Sequence, residues 1–142
     1  MKFMYFMLSC LLMCATPAQA KTSLIKAILV KVAELSKADR DQYYSKNDIG
    51  EIRFDSVFLM TLRPVQTLIG PEQRNKVLIT RASAQPGVGV PYYILYEMGG
   101  KSMNVIWYGS ALKGLCLDQD TANQYRVGRA VRRLRNLLPC KN

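Results

Sequence analysis

The chain has 142 residues, with 20 basic and 10 acidic side chains, four cysteines and no histidine. A hydrophobic content of 49% with mean hydropathy near zero excludes a polytopic membrane protein and a disordered acidic tail, and the length suits one domain rather than two buried cores. Lack of histidine removes the commonest general base and the commonest zinc ligand together.

Residues 1–20 read as a signal peptide. Lys2 gives a basic start, Phe3 to Cys14 is apolar, and Ala18-Gln19-Ala20 is the small-x-small pattern that signal peptidase accepts, which places cleavage before Lys21. The apolar run is shorter than the roughly 20 residues a spanning helix requires. Lipoprotein processing at Cys10 or Cys14 is the rival; Cys14 follows the bulky Met13 where a small residue is wanted, and Cys10 lies very near the start. The expectation is a secreted or periplasmic protein, residues 21–142 forming a single domain. Cleavage leaves Cys116 and Cys140 as the only cysteines, and an even count in an exported chain predicts a disulfide. A reactive thiol would need a nearby base, and the local candidates are arginines.

Leu24 to Leu35 fits helix or strand; alternation of Ile28, Val30 and Val32 with Leu29, Lys31 and Ala33 favours a strand. Ser36 to Gly50, rich in Lys, Asp, Asn and Ser, predicts a long loop. From Glu51 the period is two, with Ile52, Phe54, Phe58, Met60 and Leu62 on one side, and Pro64 is expected to bend this long strand or sit at an edge. The strand continues over Val65 to Ile69 until Gly70-Pro71. Lys76 to Arg81 predicts a short third strand, and Ser83 to Val90, with Pro86, Gly87 and Gly89, a loop. Tyr92 to Met98 and Met103 to Tyr108 then flank Gly99-Gly100-Lys101-Ser102 as a hairpin with a four-residue connection.

Beyond Cys116 the pattern turns helical. Thr121 and Gln124 form a capping-box pair, Val127, Val131, Leu134 and Leu138 make one apolar stripe, and Pro139 ends it, predicting one basic helix over 121–138. Five short strands with a C-terminal α-helix predict a mainly β fold, a small five-stranded barrel of the oligonucleotide/oligosaccharide-binding (OB) type.

The feature order resembles the netrin/TIMP-type module over about Ile28 to Cys116. The matching residues are Thr67-Leu68-Ile69-Gly70-Pro71, like the family's Leu-x-Gly step after strand two, and Gly89-Val90-Pro91-Tyr92-Tyr93-Ile94-Leu95-Tyr96, like its Gly-x-x-Tyr-Leu-Val strand four. The resemblance implies an OB-type fold. Metalloprotease inhibitors of that family chelate zinc through a cysteine at the mature N-terminus; the position here is Lys21, so that activity is not carried over, nor is any family site residue.

Charge is uneven. Residues 21–120 hold 13 basic and 10 acidic side chains, whereas 121–142 hold six basic and no acidic ones. Arg126, Arg129, Arg132, Arg133 and Arg135 are therefore a candidate anion-binding group, since guanidinium grips oxyanions in a bidentate way; a solvating role on a packed helix is the plainer alternative. Tyr92, Tyr96 and Trp107 on the last two strands, with Tyr43 and Tyr44 in the polar segment, are candidate partner contacts, packing in core and rim being the alternative.

Catalytic constellations are thin. Ser110 and Lys113 have the Ser-x-x-Lys spacing in a short connection, and the pairs Asp39/Asp41 and Asp118/Asp120 lie in polar stretches without a cleft to enclose them. No glycine loop for phosphates and no dinucleotide fingerprint occurs. The expectation is a non-enzymatic binding module without cofactor or metal, engaging a protein or other macromolecule, with an anionic polymer or membrane surface met through the arginine helix as the second reading.

Overall fold

The computed structural model describes residues 21–46, 56–71, 77–82, 85–99 and 102–141; Ile52, Phe54 and residues 1–20, expected to be a signal peptide, fall outside them. The fold is mainly β. Strand β1 (Lys21–Glu34) pairs antiparallel with both β2 (Ser56–Ile69) and β4 (Pro91–Gly99). Strand β3 (Val77–Ala82) pairs antiparallel with β2, and β5 (Ser102–Ser110) with β4. β3 and β5 meet at one parallel pair, Ile79 with Asn104.

Two apolar layers use opposite faces of this sheet. The inner one contains Ile25, Ala27, Leu29, Met60, Leu62, Ile94 and Tyr96, flanked by Val32, Tyr92, Met98, Val105 and Tyr108. The outer one contains Leu24, Tyr93, Leu95, Leu115, Leu117, Ala122, Val127 and Val131, flanked by Ile106, Trp107, Leu134 and Leu138 among others. Neighbouring strand residues point to opposite faces, which is why Tyr93 and Tyr92 serve different layers.

The first strand corrects the alternation expected of it. Leu29, not Ile28, is fully buried, and Val30 is 52% exposed. The register slips between Leu29 and Lys31, so Val30 is a bulge residue and Val32 takes up the inward positions that Ile25, Ala27 and Leu29 began. Val65, 55% exposed, is its counterpart on β2, where Gln66 faces Lys26 and Pro64 faces Ala27. Pro64 sits beside that bulge, and β2 is paired to β3 only as far as Thr61, so the proline's missing N–H falls in a stretch paired on one side. The hairpin pairing runs further than expected, with Gly99 facing Ser102.

Ser36 to Gly50 is not simply a loop, because Lys37–Lys46 forms helix α1. The Ser36 hydroxyl accepts from the Asp39 N–H at 3.2 Å and donates to the Asp39 carboxylate at 2.7 Å, a capped first turn with an acid favoured by the helix dipole. Its polarity disguised it, since a helix without an apolar stripe leaves no period to read.

The expected single helix over 121–138 is two. α2 spans Gln119–Gln124 and α3 spans Gly128–Leu137. The first cap is Asp118, whose carboxylate accepts the Thr121 N–H at 2.7 Å; Thr121 lies inside the helix. Between the helices, Val127 N–H donates to Ala122 O at 2.9 Å and Arg126 N–H to Asn123 O at 3.0 Å, with Arg126 at φ 60°. That is a Schellman turn with arginine where glycine is usual, and Val127 and Ala122 supply the apolar contact that accompanies it. Gly128 is the residue that admits the break, because a Cβ there would collide with the side chains of Asn123 and Gln119.

Cys116 and Cys140 are bonded, as the cysteine count predicts, with Cα atoms 4.8 Å apart. Leu115 N–H donates to Leu138 O at 3.0 Å and Lys141 N–H to Lys113 O at 2.8 Å, so the end of the chain is strapped beside the exit from β5 through the short 3-10 turn Ala111–Lys113.

Candidate anion-binding surface

The arginines are displayed by what α3 buries. Val131 is fully buried against the outer layer, with Leu134 and Leu138 beside it, and the 3.6-residue period leaves Arg129, Arg132 and Arg133 on the exposed side. No carboxylate lies on α3 to neutralise them. Arg135 is half-buried, and its charge adds to the forces on Asp118. The carboxyl of Asp118 is held below its ordinary value chiefly by the Thr121 hydrogen bond, Arg135 being the smallest contributor. Four of the five arginines are thus exposed, three on one helix and Arg126 on the turn before it.

Arg126 also lines a cleft of about 580 Å³ with Thr22, Ile69, Glu97, Gln124, Tyr125 and Val127. The ends of β1, β2 and β4 make one wall, and the α2–α3 turn makes the other. A non-glycine residue in the left-handed region carries strain of about 1–2 kcal/mol, so the turn retains this cation in the cleft wall against a local preference for glycine. Gly70, φ 84°, closes β2 below the cleft, where a Cβ would come within 2.7 Å of Thr22 O; this is the physical requirement behind the Leu68-Ile69-Gly70 step.

The aromatic candidates are placed differently. Tyr96 is 1% exposed in the inner layer and faces Ser23 across the β1–β4 ladder. Burial raises its phenol, and the neighbouring Ser23 side chain opposes the rise. Tyr92 is half-buried, packed edge-on to Tyr108 with centroids 5.8 Å apart, and its hydroxyl accepts the Gly87 N–H at 3.0 Å. Trp107 packs on the outer layer beneath the helices. Tyr43 and Tyr44 belong to α1, and their side chains lie outside the described residues. The structure brings the arginines together and does not join the aromatics to them.

The sequence reading missed the cleft and two exposed leucines, Leu112 and Leu137, at 71% and 77% exposure. Leu137 was detectable, because it falls off the Val127, Val131, Leu134, Leu138 stripe. Among the described residues no helix is long and apolar enough to cross a membrane. Comparison with protein-family models, curated proteins and solved structures returns no match.

Proposed function

We propose that this chain is an exported, non-enzymatic binding module that docks on an anionic macromolecular surface through α3. The observation that carries the reading is the exposure of Arg129, Arg132 and Arg133 on a helix without a carboxylate. Arginines so arranged bind oxyanions in a bidentate way and lose affinity as salt rises. The expected protein contact through the sheet aromatics is less well supported, since Tyr96 is in the core and Tyr92 and Trp107 are engaged in packing.

Within this proposal the scaffold is a five-stranded OB-like barrel of netrin/TIMP type. Its support is the strand order β1-β2-β3-β5-β4, that of a partly open Greek-key barrel in which the β3–β5 seam is the thinnest, together with the conformational need for Gly70. Export rests on the Ala18-Gln19-Ala20 pattern and agrees with the disulfide.

Retention on immobilised heparin tests the binding reading. Replacing Arg129, Arg132 and Arg133 by Ser is expected to move elution to clearly lower salt, with thermal stability nearly unchanged because all three are exposed. Elution of the triple variant at the wild-type salt would overturn it.

A further inference from the structure

We infer that the anionic surface met by α3 is a lipid bilayer, and that Leu112 and Leu137 are its apolar anchors. This rests on the binding reading above and adds the partner's chemistry.

Leu112 and Leu137, at 71% and 77% exposure, are the most exposed large apolar side chains among the described residues. The two lie on adjoining segments. Leu112 lies in the 3-10 turn after β5, three residues before Leu115; Leu137 is the last residue of α3, one before Leu138; and the Leu115–Leu138 hydrogen bond and the disulfide hold these segments together. Basic residues lie near both along the chain. Lys113 and Lys141 are exposed and joined through the backbone bond from Lys141 N–H to Lys113 O. Arg133 is one helical turn before Leu137 and Arg129 one turn before that.

Two exposed leucines on adjoining segments that also carry arginine and lysine match the two demands of an anionic membrane surface, acyl carbon for the leucines and phosphate for the cations. Nucleic acid or acidic polysaccharide would engage the cations and leave the leucines in water. A second copy would bring two such basic ends together and be repelled.

The test uses the oxidised full-length mature chain and sedimentation with vesicles of phosphatidylglycerol mixed into phosphatidylcholine. The double variant Leu112→Ser, Leu137→Ser is expected to partition at least about tenfold less, following the cost of withdrawing buried methylenes from acyl chains. It should keep wild-type retention on heparin. Leu112→Trp with Leu137→Trp should restore partitioning, because the indole ring favours the interface. Unchanged vesicle binding in the serine variant, or wild-type protein that binds heparin but not the mixed vesicles, would refute the lipid partner while leaving the arginine surface standing. Loss of heparin retention in the serine variant would likewise refute it, by showing that the leucines act through the arginines' placement.

Discussion

Arg126→Gly should make the protein more stable. In the Schellman turn, position 126 holds φ 60° while its N–H is bonded to Asn123 O. A side chain in that region costs about 1–2 kcal/mol, and glycine removes it. The extra freedom that glycine gives the unfolded chain takes back about 0.4–1 kcal/mol. The net gain is about 1 kcal/mol, or about 4 °C in Tm for a domain of this size. Loss of one positive charge also relieves repulsion, so the control is Arg126→Ala, which loses the same charge and keeps the strain. Urea denaturation of the disulfide-bonded protein should rank Gly above Ala by about 1 kcal/mol. Equal midpoints for the two variants would show that the turn is not strained as argued.

Three further outcomes follow from the same geometry. Gly114→Ala combines φ 80° with a Cβ driven into the backbone carbonyl of Pro139, so it should cost about 2–4 kcal/mol, read as a lowered urea midpoint. Cys116→Ser with Cys140→Ser opens a loop whose ends are separated by 24 positions and should cost about 3 kcal/mol in the chain-entropy model, while the wild-type chain from Lys21 onward should show no free thiol on labelling under non-reducing denaturation. Burial keeps the Tyr96 and Tyr108 phenols protonated to higher pH in the folded chain than in the unfolded one. Their contribution is therefore complete below 10.0 and is lost as pH rises beyond it. Tyr96→Phe should flatten the alkaline fall in stability, and an equally steep fall would exclude this cause.

What the sequence disclosed depended on whether a residue's partners were near it. The pairing of Cys116 with Cys140 needed only counting, and the stripe Val127, Val131, Leu134, Leu138 survives although the helix bearing it is broken. Each retains its packing because the break falls before Val127, so all four positions belong to α3 and its two caps. The break itself was signalled by Gly128, but the left-handed residue is an arginine, which local propensity disfavours. Helix α1 was hidden because Ser36 and Asp39 mark a cap without an apolar face to follow it. The phase of β1 was hidden for a non-local reason. Nothing about Val30 marks it as a bulge; that is set by its register against β2. Likewise Tyr96 and Trp107 are the same kind of residue to a sequence reading, and only the choice of face separates a core phenol from a ring under the helices. The arginines were legible as a group, but their exposure depends on the orientation of α3 over the outer layer.

Helix α3 is fastened at both ends, by the turn through Arg126 and Val127 at its start and by sulfur at its finish. Its guanidinium groups are consequently presented at a set pitch before any ligand arrives. For the binding proposed above, association would have only side-chain rotamers left to immobilise, with no helix to fold on contact. Reducing agents should act on recognition as well as on durability, because they release one of the two fastenings that keep this rack of cations rigid.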